Sequence, residues 1–398
     1  MEMAELTALL TPDGLRLLDG LPPVESADDV ARTVSRLRRE GHSPDLVSAV
    51  VTQSRLRARA GAKFGPFAER MLFTRAGLEQ ATRLGIAARH AVRFRDAGFE
   101  RVADLGCGIG GDSLGLTALG IRVTAVEADE VTAAIAAYNL APFGDSATVR
   151  HGTAETTDLT HVDAVWLDPA RRTAGHTETA RTRPEDWSPP LDWTLELAGR
   201  MPAGIKLGPG LDRALIPDDL EAQWISADGS TVELVLWSGP LAREGVRRAA
   251  LVIRGDDAHE LTSAADSPDE PVRELGAFLH EPDGAVIRAR LIGEVARSLD
   301  AGMLDEHVAY MTSDAAVTSP FVTSFRVREA MPAKIPAINS ALREAGIGRL
   351  EIKKRGVDVD PAQFRRKLRL GGDAEATLVL TRVGTRRIAV LADRVSRS

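Results

Sequence analysis

The stretch Asp104-Leu-Gly-Cys-Gly-Ile-Gly-Gly111 decides how this chain is organised. It overlaps the end of Arg101-Val-Ala-Asp-Leu105, an apolar segment with the length of a β-strand, and it precedes a helix-like stretch at 112–119. Its glycines satisfy the pattern GxGxxG, in which a backbone without Cβ atoms can turn tightly and pass close under a ligand. A strand, a glycine-rich turn and a helix in this order predict a ligand-binding βα unit.

The segments beyond this turn alternate between strand-like and helix-like patterns. Strands are predicted at 101–105, 121–126, 147–150, 162–167 and 204–207, and helices at 112–119 and 130–140. This alternation predicts a parallel sheet with helices on both faces, which is the Rossmann-like α/β class. Two further strands, 223–226 and 231–237, are joined by Ala-Asp-Gly, a hairpin signal. The sheet is therefore predicted to end in an antiparallel hairpin.

The flanking regions have other patterns. Apolar residues recur at steps of three and four before residue 95, which predicts helices there. Later predictions are a strand at 249–253, an acidic loop at 255–271, a helical segment at 285–300, strands at 350–352, 376–380 and 387–391, and a basic helix at 361–370. The predicted division is a helical region at 1–95, the α/β domain at 96–240, a mixed extension at 241–330 and a small basic α+β domain at 331–398.

Composition limits the class of protein. A chain of 398 residues exceeds what one core usually holds, so two or three domains are expected. No apolar run reaches the roughly 18 residues of a membrane span, and the acidic start lacks the pattern of a signal peptide. The single cysteine, Cys107, excludes an internal disulfide and a cysteine-based zinc site. We therefore expect a cytoplasmic protein without a membrane partner and predict no metal site.

Charge is distributed unevenly along the chain. The net charge is −7, yet residues 343–397 contain 14 Lys or Arg against 7 Asp or Glu. A basic end on an acidic body suggests contact with a polyanion such as nucleic acid, although a solvated surface would have the same composition.

Two cofactors are compatible with the glycine turn. A dinucleotide would place its ribose on Glu127, which follows the turn at the spacing of that fingerprint. S-adenosylmethionine (SAM) is favoured because Asp104 would repel a pyrophosphate but suits the cationic methionine end of SAM. Glu127 would then accept both ribose hydroxyls. The residues predicted to bind SAM are Asp104, Gly106, Gly108, Gly110, Glu127, Ala128, Glu155 and Asp168, with Glu155 placed near the adenine.

Cys107 lies within the cofactor turn and is predicted to be a packing residue. Methylation at pyrimidine C5 generally requires a cysteine nucleophile, and the sequence offers no second cysteine. That chemistry is therefore disfavoured.

The fourth predicted strand is followed by Asp168-Pro-Ala-Arg-Arg172. Ligands of open α/β sheets bind beyond the carboxyl ends of the strands, so this segment is expected to reach the methyl group that is transferred. The predicted catalytic residues are Asp168, Lys206 and Arg171. Substrate contacts are predicted at Pro169 and Arg172, and at the basic C-terminal residues Lys353, Lys354, Arg355, Arg365, Arg366 and Arg369. On a continuous helix, Arg365, Arg366 and Arg369 would share a face that could follow a phosphate backbone.

Seven motifs along the chain match one protein family. They are Phe73-Thr-Arg-Ala-Gly-Leu-Glu-Gln-Ala-Thr82, Ala103-Asp-Leu-Gly-Cys-Gly-Ile-Gly-Gly-Asp112, Leu167-Asp-Pro-Ala-Arg-Arg172, Trp187-Ser-Pro-Pro190, Lys206-Leu-Gly-Pro-Gly210, Ile352-Lys-Lys-Arg-Gly356 and Leu368-Arg-Leu-Gly-Gly-Asp373. On these residues the chain resembles bacterial SAM-dependent methyltransferases with a C-terminal THUMP-like domain. The resemblance covers most of the chain. It implies a nucleic-acid substrate, because THUMP domains of other modification enzymes bind structured RNA.

The acceptor atom is left open between two chemistries. Enzymes that methylate exocyclic nitrogens usually carry Asn/Asp/Ser-Pro-Pro-aromatic, and this chain has Ala170-Arg171 in place of the last two residues. Arg171, Trp187 or Trp166 would then have to stack on a flipped base. The alternative is ribose 2′-O-methylation, since Asp168, Lys206 and Glu233 resemble three members of a Lys-Asp-Lys-Glu tetrad and Lys63 could be the fourth. In that scheme neighbouring cations would lower the pKa of Lys206, which would take the hydroxyl proton.

The sequence thus predicts a SAM-dependent methyltransferase of structured RNA, such as tRNA or rRNA, acting at a base nitrogen or a ribose 2′-hydroxyl. A methyltransferase of a small molecule or a protein, and an RNA-binding protein that holds SAM without catalysis, are the alternatives.

Overall fold

The computed structural model describes residues 1–170 and 183–396. The chain divides into two compact units. The first contains Met1–Leu207 and Leu236–Ala242, and the second contains Gly208–Val235 and the chain from Arg243 onward.

The bounds of the regular elements are as follows. The helices are α1 (Met3–Leu9), α2 (Pro12–Asp19), α3 (Ala27–Arg39), α4 (Pro44–Phe64), α5 (Arg75–Gln80), α6 (Leu84–Asp96), α7 (Gly111–Ala118), α8 (Glu130–Leu140), α9 (Leu191–Arg200), α10 (Gly284–Arg288), α11 (Ile292–Ser298), α12 (Ile335–Glu344) and α13 (Pro361–Arg365). The strands are β1 (Arg101–Leu105), β2 (Arg122–Glu127), β3 (Ala147–His151), β4 (Ala164–Leu167), β5 (Ala203–Leu207), β6 (Glu221–Ala227), β7 (Ser230–Trp237), β8 (Arg248–Arg254), β9 (Asp257–Ser263), β10 (Phe278–Pro282), β11 (Gly302–Asp305), β12 (Val308–Ser313), β13 (Val322–Pro332), β14 (Ile347–Lys354), β15 (Ala374–Val383) and β16 (Arg386–Arg394).

The N-terminal region is helical, as predicted. Helix α4 begins at the N-cap Ser43, whose hydroxyl accepts from the backbone of Leu46. Within α4, the buried Gln53 exchanges two hydrogen bonds with the backbone of Phe73, at 2.7 and 3.0 Å. The amide therefore ties α4 to the chain that enters α5.

The first unit contains a parallel sheet whose strands lie in the order β3-β2-β1-β4-β5. Strand β4 is buried along its whole length, which explains its continuous apolar sequence. The chain returns to this sheet after β7, where the backbone N–H of Ser238 donates to the carbonyl of Ala203 in β5. All five parallel strands end at one edge, so the loops after β1, β2, β4 and β5 are neighbours.

The second unit begins with the predicted hairpin. Strands β6 and β7 are hydrogen-bonded neighbours, and both residues between them, Asp228 and Gly229, have positive φ angles of 51° and 82°. Strand β8 pairs with β6 in parallel, and β9 pairs with β8 in antiparallel orientation. The predicted loop at 255–271 was therefore wrong over Asp257–Ser263. Its polar side chains are largely exposed along an edge strand, and polar composition alone resembles a loop.

A seven-stranded sheet forms the rest of the second unit, in the order β11-β12-β10-β13-β16-β15-β14. Helix α12 packs on it through Ile338 and Leu342, which belong to a buried apolar cluster. Sequence patterns did not predict β9 to β13 or α12. The helical segment predicted at 285–300 is divided into α10 and α11, because Arg290 takes a left-handed conformation with φ of 59°.

Candidate active site

The turn after β1 has the geometry that its glycines predict. Gly106, Gly108 and Gly110 have φ angles of 90°, 55° and 87°, in the left-handed region where other residues are strained. A Cβ at Gly106 would lie 2.8 Å from the carbonyl oxygen of Asp168. The turn and the loop after β4 therefore approach each other at a distance that only glycine permits.

Glu127 ends β2 beside this turn. Its carboxylate accepts from the backbone N–H of Gly108 and of Asp129, each at 2.9 Å. The adjacent Ala128 is exposed, and its carbonyl accepts from Nε2 of His151 at 3.1 Å. Glu155 is exposed in a short helical turn after β3. The structure thus places Glu127 at the cofactor turn, and the ribose and adenine contacts of Glu127, Ala128 and Glu155 stay predictions.

Asp104 is buried beneath the turn, with 1% of its surface exposed. Ser113 donates to Oδ2 at 2.5 Å, whereas Oδ1 has no hydrogen-bond partner among the described residues. Burial and the negative charge of Asp112 raise the pKa of Asp104 to about 8. A buried carboxylate oxygen without a partner fits the cationic amino group of a SAM molecule, since such a group would satisfy both its charge and its hydrogen bond.

Cys107 is also buried, at 7% exposure. Burial, followed by the nearby carboxylates of Asp104 and Glu127, raises the pKa of the thiol well above its ordinary value. The thiol is therefore protonated at neutral pH and suits packing better than nucleophilic attack.

The loop after β4 is linked to β5 by an ion pair. Nζ of Lys206 lies 2.5 Å from Oδ2 of Asp168. The same ammonium donates to the hydroxyl of Thr82 at 2.8 Å and lies 3.5 Å from Oδ2 of Asp112. Lys206 is 8% exposed, so the ammonium is paired within the protein and oriented by three oxygen atoms.

Asp112, in the first turn of α7, is the second carboxylate of this network. It accepts from the hydroxyl of Thr82 at 2.7 Å and lies 2.8 Å from Nδ1 of His90. Burial alone would raise its pKa, but Lys206 and the hydrogen bonds of His90 and Thr82 hold the pKa well below its ordinary value. The surroundings of Lys206 are mixed in charge, because two carboxylates lie within 3.5 Å of the ammonium and Lys63 lies close enough to repel it. The lowered pKa expected of Lys206 stays a prediction.

Lys63 has another role than the tetrad scheme requires. Its Nζ donates to the carbonyls of Leu78, Glu79 and Ala81, each at 2.8 Å, and so caps the C-terminal end of α5. Glu233 is buried on β7 in the second unit.

The tryptophans proposed to stack on a base are enclosed. The ring of Trp166 is fully buried and lies 4.5 Å from that of His90, with Phe94 and Trp237 also in contact. Trp187 is only 8% exposed. Pro169 is buried, and Ala170 exchanges two backbone hydrogen bonds with Ser188. Arg171 and Arg172, two of the predicted site residues, lie outside the described residues.

The predicted C-terminal cations do not form one surface. Lys353 pairs with Glu281 at 2.6 Å, and Arg355 lies 3.7 Å from the same carboxylate. Arg365 donates to the carbonyl of Leu350, and of Lys353, Lys354 and Arg355 only Lys354 is exposed.

The basic helix is shorter than predicted, because α13 ends at Arg365. Beyond it, Leu368 and Leu370 pack against the apolar cluster, and the backbone of Arg369 donates to Oδ1 of Asn339 at 2.8 Å. Arg366 and Arg369 are both exposed, but they do not share a helical face with Arg365.

Sequence reasoning missed several residues of this site. Thr82, His90 and Asp112 form the network around Lys206, and Asn139 of α8 donates to the carbonyls of Leu72 and Ile109. Thr82 and Asp112 both end motifs of the family resemblance, which was the available signal. His90 and Asn139 lie in ordinary helical patterns that carry no such signal.

Known proteins are similar to this chain in sequence. The chain is 32% identical over 358 residues to a protein of Mycobacterium tuberculosis named an uncharacterized S-adenosylmethionine-dependent methyltransferase, with 88% of this chain and 95% of the relative covered. The chain belongs to the SAM-dependent methyltransferases. In this methyltransferase, residues 322–394 match the THUMP domain-like family, and residues 2–60 match a domain family of unknown function, DUF8688.

The fold of the methyltransferase is also found in a solved structure. The crystal structure of a protein assigned as a methyltransferase in Porphyromonas gingivalis W83 aligns with a TM-score of 0.71 at 18% identity, covering 94% of this chain and all of that one. Among the described helices of the methyltransferase, none is long and apolar enough to cross a membrane.

Proposed function

We propose that this methyltransferase modifies a structured RNA, with Asp168 positioning the acceptor atom. The observation that carries the proposal is the combination of a SAM site with a THUMP domain-like segment at 322–394 in one chain. Structured RNA is recognised largely through shape and phosphate contacts, which suits a chain with few aromatic residues and a basic end. Exposed Lys354, Arg366 and Arg369 remain available for such contacts.

Asp168 is suited to hold a polar acceptor. It lies beyond the carboxyl end of β4, against Gly106 of the cofactor turn, and its side chain is 32% exposed. The cofactor supplies a methyl group on a cationic sulfonium, so the acceptor lone pair must lie in line with the breaking carbon–sulfur bond. A carboxylate that accepts a hydrogen bond from the acceptor group would fix that alignment. Lys206, held by Asp112 and Thr82, would in turn fix the carboxylate.

Between the two acceptor chemistries, the surroundings of Lys63 favour a base nitrogen. The tetrad scheme needs Lys63 at the reacting atoms, whereas its three hydrogens are donated to α5 carbonyls. Asp168 can accept from an exocyclic amine without that lysine. Arg171, which would stack on or hold the base, stays a prediction.

The test compares modified nucleosides, by mass spectrometry, between wild-type and deletion strains and a strain expressing Asp168→Ala. We expect one N-methylated nucleoside to disappear in the deletion strain and in the variant. A lost 2′-O-methyl nucleoside would contradict the choice of a nitrogen. An unchanged nucleoside profile would overturn the RNA substrate and favour a small molecule or a protein.

A further inference from the structure

A second feature of the first unit carries an inference beyond the catalytic residues. A cavity of about 350 Å³ lies between α4 and α5. Its polar lining consists of Arg59, Lys63, Arg75, Arg83 and Glu79. Four cations and one carboxylate give this cavity, here called the α4–α5 pocket, an excess of positive charge.

Among the described residues, the two outer cations of the pocket have no paired carboxylate. Arg59 and Arg75 are exposed, and neither has a carboxylate within 4.0 Å in the part of the chain that the structure describes. Arg101, by contrast, is an exposed arginine of this unit that pairs with Asp163. Two unpaired guanidinium groups at one concave site are the arrangement that binds an anionic oxygen group.

The α4–α5 pocket adjoins the catalytic network. Its Lys63 donates to the carbonyl of Ala81, and the next residue, Thr82, receives the hydrogen bond of Lys206. Burial, followed by repulsion from Lys206 and Arg83, lowers the pKa of Lys63, so these cations lie close enough to influence one another. The pocket is thus linked through residues 81 and 82 to the Lys206–Asp168 ion pair.

The wall of the pocket is fixed to the cofactor turn. The side-chain amide of Asn139 accepts from the backbone of Leu72 at 2.8 Å and donates to its carbonyl at 3.0 Å and to that of Ile109 at 2.9 Å. In α5, Gly77 packs so closely on Ile109 that a Cβ would lie 2.5 Å from Cγ2. The pocket therefore has a fixed position relative to the bound cofactor, as a subsite must.

We propose that the α4–α5 pocket binds a backbone phosphate of the substrate RNA next to the nucleotide that is methylated. The inference rests on the proposed RNA substrate. A phosphate flanking the target nucleotide is the anion that accompanies an RNA base into a methyltransferase site. Binding it at Arg59 and Arg75 would hold the neighbouring nucleotide at Asp168.

The experiment uses the full-length protein saturated with S-adenosylhomocysteine and unfractionated tRNA as the probe. Binding is measured at several salt concentrations for wild type, for the pocket variant R59Q/R75Q and for a matched control, R38Q/R55Q. The control removes two exposed arginines from α3 and α4 that do not line the pocket. Affinity for S-adenosylhomocysteine, measured by calorimetry, is expected to stay unchanged in both variants and so reports intact folding.

The pocket variant is expected to bind tRNA about tenfold more weakly, and the slope of log K against log salt should become shallower by about 1, as expected for one lost phosphate contact. The control should change the affinity by less than about twofold. Equal losses in both variants would overturn the proposal, because they would show a general effect of net charge.

A second arm separates this inference from the proposed function. Thermal unfolding is followed with and without pyrophosphate, which has no nucleoside part. If wild type and control are stabilised and R59Q/R75Q is not, the pocket binds phosphate. That result without tRNA binding by wild type would contradict tRNA as the substrate and keep the anion site. If wild type binds tRNA and the two variants do not differ, tRNA is kept as a substrate and the anion site is contradicted.

Discussion

The buried charges beside the cofactor turn and the surface charges of the seven-stranded sheet are held in different ways. Around Lys206, the carboxylate of Asp112 is almost inaccessible to water, and it lies 3.5 Å from the ammonium and 2.8 Å from Nδ1 of His90. In the seven-stranded sheet, Asp393 accepts from Arg328 and is a quarter exposed, and Lys353 pairs with Glu281 near the surface. Burying a charged group costs roughly several kcal/mol of hydration free energy. A buried network of charges is therefore retained where chemistry requires it. Exposed pairs carry no such implication.

The largest expected effect concerns Asp168, which connects the buried network with the substrate. Asp168→Ala should lower the rate of methyl transfer about a thousandfold, because a positioned acceptor contributes about 10²- to 10⁴-fold. Affinity for S-adenosylhomocysteine should change less than about threefold. Single-turnover transfer of a labelled methyl group and calorimetry measure the two quantities. If the variant keeps a tenth of the wild-type activity, Asp168 does not position the acceptor.

Removing a carboxylate should lower the free energy of unfolding more in the buried network around Lys206 than in a surface pair. Asp112→Ala removes a buried partner of both Lys206 and His90, so the free energy of unfolding should fall by about 3–5 kcal/mol. Asp393→Ala, the surface control, should cost about 1 kcal/mol or less. Urea denaturation measures both. Similar losses of unfolding free energy in the two variants would contradict the distinction between the buried network and the surface pairs.

The raised pKa of Asp104 predicts a pH dependence of cofactor binding. The carboxyl, with a pKa of about 8, must lose its proton to pair with the cationic amino group of the ligand. Affinity for S-adenosylhomocysteine should therefore rise as pH increases towards 8, by at most about tenfold for each pH unit. Calorimetry in two buffers with different ionisation enthalpies should show a proton released at pH 7.

The raised pKa of Asp104 also makes the free energy of unfolding depend on pH. The folded state keeps a proton on Asp104 that the unfolded state loses near its ordinary pKa of 3.8, so this group lowers stability as pH rises from about 4 to 8. Asp104→Asn should remove both effects and flatten the pH profile of binding. A profile as steep as that of the wild type would assign the dependence to another group.

The smallest effect is expected at the basic C-terminal end. The triple variant K354Q/R366Q/R369Q removes exposed charges and should weaken tRNA binding about fivefold, with a shallower salt dependence. Lys353→Gln should change it less than twofold, because Glu281 already neutralises that ammonium. Filter binding at two salt concentrations compares them. A larger loss in the Lys353 variant would mean that RNA displaces Glu281.

The parallel sheet could be predicted because each of its signals is local. Glycines at a strand end, Ala-Asp-Gly between two strands and continuous apolar strands each indicate one structure. The seven-stranded sheet was only partly predicted. Its strands pair across long stretches of sequence, and polar segments such as β9 become strands only when a neighbour supplies hydrogen bonds.

The residues of the candidate site also divide into those that local sequence signals could locate and those that they could not. Asp104, Glu127 and Lys206 lie near the carboxyl ends of strands that could be located, and Asp168 follows another, so their proximity could be expected. The other residues of the Lys206 network could not, because Thr82 lies between α5 and α6, His90 in α6 and Asp112 in α7, and no spacing rule connects them.

The close approach of Gly77 to Ile109 has a consequence for how related sequences can differ. The cap residue Thr74 holds the backbone N–H of Gly77 at 2.9 Å, and a Cβ on residue 77 would crowd both the Thr74 hydroxyl and the Ile109 side chain. We therefore expect positions 74, 77 and 109 to vary together among related sequences. Alanine at 77 should be accompanied by a shorter side chain at 109 and a different cap at 74.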